Sequence, residues 1–162
     1  MPVIPRSTAD IRELVDAHRE PVAALSRTLH DDPELSFEEH RAVAAITAVL
    51  HGAGHEVVVG VSGLPTAFRA EAGAGDAEVV LCAEYDALPG VGHACGHNLI
   101  AATAVATFLA LAPLAEDLGI RLVLLGTPAE EHGTGKELML QAGAWDDAIA
   151  SLMVHPGPRE MW

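Results

Sequence analysis

The sequence predicts an α/β fold, a three-layer sandwich around a largely parallel central sheet. Three short apolar runs carry that expectation, at residues 78–83, 120–125 and 149–154. Each is almost continuously apolar, the pattern of strands covered on both faces, as in parallel sheets. Segments of helical spacing separate them, and the order strand, helix, strand, helix, strand implies βαβ units.

From residue 8 to about 30, Ile11, Leu14, Val15, Val22, Leu25 and Leu29 recur at helical spacing, with a kink or restart expected at Pro21. A turn follows at Asp31-Asp32-Pro33. Ser36-Phe-Glu-Glu39 reads as a capping box opening a helix that ends near Gly52-Ala-Gly54, with Val43, Ile46 and Leu50 as its core face. Residues 55–60 and 64–71 read as short strands before a turn-rich 72–76. Two further helices are expected, over about 97–115 and 135–142, the second stopped by Gly143. Residues 99–115 are apolar apart from Thr103 and Thr107, yet the stretch is Ala-rich and interrupted by Pro113. A membrane span needs about 20 strongly apolar residues, so a helix buried on all sides is expected.

At 162 residues the chain is the size of one domain. A chain of that length buries roughly 70% of its unfolded surface, enough for a core without staples. Hydrophobic residues at 50% and charged residues at 20% exclude a disordered chain. The net charge of −14 repels nucleic-acid phosphates and anionic membranes, so neither is an expected partner. Two cysteines exclude a disulfide scaffold: Cys82 lies in an apolar run, as a buried inert thiol would, whereas Cys95 lies among Gly and His. Met1-Pro-Val-Ile-Pro-Arg6 has no apolar core of leader length, which makes a cytoplasmic location the expectation.

Polar residues cluster just after the three apolar runs. The first is followed by Glu84, Tyr85, Asp86 and Gly90-Val-Gly-His-Ala-Cys-Gly-His97, the second by Thr127-Pro-Ala-Glu130-Glu131-His132, and the third by His155-Pro-Gly-Pro158. Open α/β sheets form their sites at the carboxyl ends of parallel strands, so three loops on one edge bring these groups together. Thiol, imidazole and carboxylate are transition-metal donors, and the thiol favours zinc over calcium or magnesium. Cys95 stands just ahead of a helix starting near His97, where the helix N-terminus and a nearby cation would stabilise its thiolate. Glu130 and Glu131, read as an extended loop, point in different directions, so one can bind metal while the other faces the activated water. Alternatively the pair caps the helix near Gly135. Asp86 either orients a histidine ligand or closes a turn before Leu88-Pro89-Gly90. His93 reads as a loop residue and His132 stays open; His18, His30, His40, His51 and His55 read as structural.

Glu84-Tyr-Asp-Ala-Leu-Pro-Gly-Val-Gly-His-Ala-Cys-Gly-His-Asn-Leu-Ile100, Thr127-Pro-Ala-Glu-Glu131 and Met153-Val-His-Pro156 resemble metallopeptidase family 20, subfamily D. That group holds aminoacylases, N-acyl-amino-acid amidohydrolases and auxin-conjugate hydrolases. His30-Asp-Asp-Pro-Glu-Leu-Ser-Phe-Glu38 resembles its N-terminal signature. The resemblance implies Cys95, His97, Glu131 and His155 as metal ligands, Glu130 as general acid/base, and Asp86 as the aspartate supporting the site. It implies a divalent metal, zinc foremost with manganese or cobalt as alternatives, and two ions in the complete site. Asn98, with Glu84-Tyr85-Asp86, is more similar to the p-aminobenzoyl-glutamate hydrolase and dipeptidase branch, implying N-acyl amino acid or dipeptide substrates with a free carboxylate. By the same resemblance, residues 1–162 correspond to the N-terminal portion of a zinc-exopeptidase-like catalytic domain. The lid domain through which members often form homodimers, and the later segment supplying a final histidine, lie outside it. Two alternatives stand beside an amide hydrolase: a truncated, non-catalytic metal-binding fragment that is inactive or needs a partner chain, and a metal-free thiol hydrolase using Cys95.

Overall fold

A computed structural model describes residues 7–157, so the expectations drawn from Met1–Arg6 and from Pro158 fall outside it. Two helices open the chain, α1 (Thr8–Asp16) and α2 (Arg19–Asp31). Ser7 and Asp10 form a reciprocal capping box at the start of α1. The restart expected at Pro21 occurs at Ala17–His18 instead, and Pro21 sits in the first turn of α2. There a missing N–H costs nothing, because first-turn amides have no helical partner. Helix α3 (His40–Gly52) buries Val43, Ile46 and Leu50 as its periodicity requires.

Among the described residues five strands form one sheet: β1 (Val57–Val59), β2 (Phe68–Ala72), β3 (Ala77–Ala83), β4 (Ile120–Gly126) and β5 (Ala148–Leu152), in the order β1-β2-β4-β3-β5. β4 and β5 run parallel to β3, while β1–β2 and β2–β4 are antiparallel. Helix α4 (His97–Leu111) crosses from β3 to β4, and α6 (Gly135–Gln141) lies between β4 and β5. Side chains alternate across the sheet. Leu81, Ala83, Leu122 and Leu124 face α4 with Leu25, Ile46, Val105 and Phe108, whereas Val80, Cys82, Val123 and Leu125 face Met139 of α6. Helices on both faces complete the three layers expected of the sequence.

Two expectations change here. The third apolar run is an edge strand rather than a covered one, with Ile149 at 71% and Val154 at 65% exposed. Its parallel pairing to β3 (Leu81 opposite Leu152) still brings its end to the same edge as those of β3 and β4. Helix α4 is not buried on all sides, since Leu99 is half exposed and Thr103 is exposed. The window His97–Leu114 is long and apolar enough to cross a membrane by length and composition, but 67% of it is buried inside the protein, against β3 and α2.

Candidate metal centre

The site grows from the carboxyl end of β3. Thr127, just past β4, donates through both its amide and its hydroxyl to the Ala83 carbonyl, tying the two strand ends together. Beyond Ala83 the chain buries three polar side chains in succession: Glu84, Tyr85 and Asp86 are each 1% exposed or less. Tyr85 donates to the Thr66 carbonyl at 2.6 Å and stacks on Phe68. Glu84 and Asp86 point the other way along the alternation and meet His97.

His97 opens α4 because Gly96, at φ +79°, takes the left-handed conformation that glycine tolerates best. A Cβ on Gly96 would lie 2.5 Å from Pro156, so the same glycine lets the loop after β5 approach. His97 is 1% exposed, with Nδ1 3.0 Å from Asp86 Oδ1 and 2.8 Å from the Asp86 carbonyl. Both neighbours are acceptors, so Nδ1 carries the proton and Nε2 presents a lone pair. Among the described residues, that Nε2 has no hydrogen-bond partner, and neither does Oε2 of Glu84, 3.3 Å away. Burial alone would lower the His97 pKa, but Asp86, then Glu84, reverse this and hold it above the ordinary imidazole value. Burial would likewise raise Asp86. Hydrogen bonds from His97, the Glu131 amide and the Ser36 hydroxyl outweigh it and keep the carboxyl below the usual range.

Glu130 and Glu131 occupy α5 (Glu130–Gly133), a single helical turn rather than the extended loop expected. Successive residues on a helix are about 100° apart, so the pair still diverges. One oxygen of each lies 3.7 Å from His97 Nε2, with the Glu131 side chain 14% and that of Glu130 42% exposed. Two donor groups result, Glu84–His97–His155 and His97–Glu130–Glu131, each with its atoms within 4.8 Å of one another. Two buried, unpartnered polar atoms facing further carboxylates and an imidazole fit a divalent cation.

The remaining expected ligands are placed less tightly. His155 is exposed, and its ring meets that of His97 edge-on with centroids 6.0 Å apart. Cys95 lies against Glu131 but belongs to neither donor group among the described residues. Its hydrogen bond to Glu131, then burial and the charges of Glu131, Glu130 and Asp86, push the thiol up to about 11. The chain's own groups therefore favour the thiol, opposite to the expected effect of the helix terminus. His93 lines a cleft of about 580 Å³ with His30, Cys95 and His155, and its Nδ1 is buried without a partner.

Three residues that carry this geometry were given no role at the site by the sequence. Glu84 faces His97 from one side and is paired on the other with Lys136 of α6. Ser36 and Glu39 do not form the expected capping box. Ser36 donates to Asp86 Oδ2 at 2.8 Å and accepts from the His132 amide. Glu39, fully buried, accepts from the amides of Phe37 and Ala129 and from the Thr66 hydroxyl. Burial pushes the Glu39 carboxyl above its usual range against these three donors. The available signal was weak: Glu84 stands one place past a strand end, and Ser36 and Glu39 carry the spacing of a helix cap.

No family model matches the chain. It is 42% identical over 158 residues to the mouse Xaa-Arg dipeptidase, an alignment covering 89% of the chain and 37% of that protein. To one of the subunits of the Escherichia coli p-aminobenzoyl-glutamate hydrolase it is 33% identical, covering 90% of the chain and 34% of the relative. The chain thus spans somewhat over a third of the curated relatives it matches. Among solved structures, the Bacillus subtilis YXEP protein, described as a dinuclear metal binding peptidase from the M20 family, superposes with a TM-score of 0.80 at 28% identity. That match covers 88% of the chain and 44% of the YXEP chain. In sequence and in fold, over the part of their length that it spans, the chain is a homologue of the M20 metallopeptidases.

Proposed function

We propose that the chain supplies the metal-binding edge of a metal-dependent hydrolase of amide bonds in N-acyl amino acids or dipeptides. The observation that carries this reading is the unpartnered Nε2 of buried His97, facing Glu84, Glu130, Glu131 and His155. The relatives' activities support it, since they include a dipeptidase, an N-acyl-L-amino acid amidohydrolase and a dinuclear metal binding peptidase.

Zinc is the metal we favour, because imidazole, thiol and carboxylate donors suit it; manganese or cobalt would take the same set. His97, Glu131 and His155 would hold it, with Glu84 and Cys95 adjacent. When bound, such an ion polarises an amide carbonyl and makes a water more acidic. Glu130, the more exposed carboxylate of its pair, would act as the general acid/base, taking a proton from a water and returning it to the leaving nitrogen. Asp86 has both oxygens engaged, so it acts through His97, fixing ring orientation and tautomer.

A metal-binding segment without turnover of its own is the second reading, favoured by the exposed position of His155 and by Cys95 belonging to neither donor group among the described residues. Metal content, measured together with hydrolysis of an N-acyl amino acid and of a dipeptide, separates the two. Turnover lost to a chelator and to Glu130→Gln, with metal retained in that variant, supports the first reading. Bound metal without turnover favours the second. Turnover that survives chelation overturns both.

A further inference from the structure

The short segment Ser36–Glu39 touches the glutamate-bearing turn α5 at three points. Ser36 Oγ accepts the His132 amide at 3.2 Å. The Phe37 ring fills the space where a Cβ on Gly133 would stand, 2.3 Å from that position. Glu39 Oε1 accepts the Ala129 amide at 2.8 Å and, with the same atom, the Phe37 amide at 2.9 Å. Its Oε2 accepts the Thr66 hydroxyl at 2.7 Å.

The two amides gathered by Oε1 belong to residues in an unusual conformation. Phe37 has φ +67° and Ala129 φ +57°, the left-handed region that non-glycine residues enter only when the surroundings compel it. Ala129 is the residue immediately before Glu130, so its backbone angles set where Glu130 and Glu131 emerge. Phe37 in turn sets where its ring presses on Gly133. One buried carboxylate thus bonds the amides of two left-handed residues at the entry to the turn, while Thr134, at φ +52°, closes its far end.

We propose that Glu39 is a positioning residue for Glu130 and Glu131, acting by locking Phe37 and Ala129 in the left-handed conformation. What it supplies is acceptor geometry, not charge. Glutamine keeps an Oε1 for both amides, and its amide can donate to the Thr66 oxygen. Aspartate, ~1.5 Å shorter by one carbon–carbon bond, cannot reach both amides and Thr66 together.

The test uses the full chain with Glu39→Gln, Glu39→Asp and Glu39→Ala, read by amide hydrogen exchange and by titration with zinc ions. Only the zinc readout rests on the metal-site reading of the proposed function. The expected result is faster exchange at Phe37 and over residues 129–133 in the Asp and Ala variants, with the sheet still protected. Zinc affinity should fall about 10–100-fold in those two, the scale of losing a partner that orients ligands, and stay within about threefold in Glu39→Gln. Wild-type exchange at these amides in Glu39→Asp overturns the proposal, as does a Gln variant as impaired as the Ala variant. Should Glu39→Ala fail to fold, the Asp and Gln pair decides. If the wild-type chain binds no zinc, the metal reading fails, and the exchange pattern alone decides the role of Glu39.

Discussion

The Nδ1 of His97 lies 3.0 Å from an oxygen of Asp86, and the other oxygen of the same carboxylate accepts the Glu131 amide at 2.9 Å. One side chain therefore aims an imidazole and anchors the turn carrying the carboxylates opposite it. If the chain binds zinc as proposed, Asp86→Asn is expected to weaken that binding about 10–100-fold, because the amide can present a donor to Nδ1 and favour the wrong tautomer. Zinc titration checks this, with a thermal melt to show that the fold persists. An affinity within twofold of wild type would remove the orienting role.

At the opposite end of β3, Glu78 is 2% exposed and its Oε2 accepts from both Arg69, at 2.7 Å, and Arg121, at 3.0 Å. Glu78→Ala removes the buried acceptor the two guanidiniums share and leaves Arg69 with Glu71 and Arg121 with Asp147, both at exposed carboxylates. Chemical denaturation should show a loss of about 1–3 kcal/mol. Zinc affinity should be untouched, since Glu78 sits at the amino end of β3, remote from His97.

His55 packs edge-on against Phe108 with ring centroids 5.0 Å apart, and burial, then the nearby His18, lowers its pKa below the ordinary value. A histidine lowered by folding binds its proton more readily in the unfolded chain. Stability contributed at this site is therefore present above the unfolded value of about 6.5 and is lost as pH falls toward the folded one. His55→Leu should flatten that part of the profile. Melting temperatures of both proteins across the mildly acidic range give the comparison, and identical profiles would rule the linkage out.

Gly126 ends β4 opposite Phe68 of β2, and a Cβ there would lie 2.1 Å from the Phe68 ring. Gly126→Ala is expected to cost about 1–3 kcal/mol through overpacking at the centre of the sheet. Adding Phe68→Leu should restore part of that loss, a coupling that a double-mutant cycle measures directly.

Much of the architecture was legible because it is locally encoded. Val43, Ile46 and Leu50 at helical spacing, and the unbroken apolar runs of β3 and β4, record which faces are buried. The clustering of polar residues after those runs pointed to the sheet edge where His97, Asp86 and Glu131 meet. Periodicity does not distinguish a covered strand from an apolar edge, so β5 read as central. It is equally silent on contacts between distant segments. Ser36 and Glu39 have the local spacing of a capping box, yet they bond to partners 50 and 90 positions away. Those bonds go to buried groups with few other options, and they outcompete a cap on a helix end that water can satisfy. Glu84 was missed for a related reason: its orphaned oxygen becomes visible only once His97 is brought beside it.

The lengths of chain closed by these contacts also bear on how the protein is made. Bonds joining Ser36 to Asp86, Asp86 to Glu131 and Ser36 to His132 span 50, 45 and 96 positions. Contacts of such long range are among the slowest to form, because loop closure must precede any reward from them. The donor groups come together only when three parallel strands have already found their register. A partly folded chain would hold its helices but no assembled site, so gain of metal affinity during refolding would be a late event, clocking completion of the sheet.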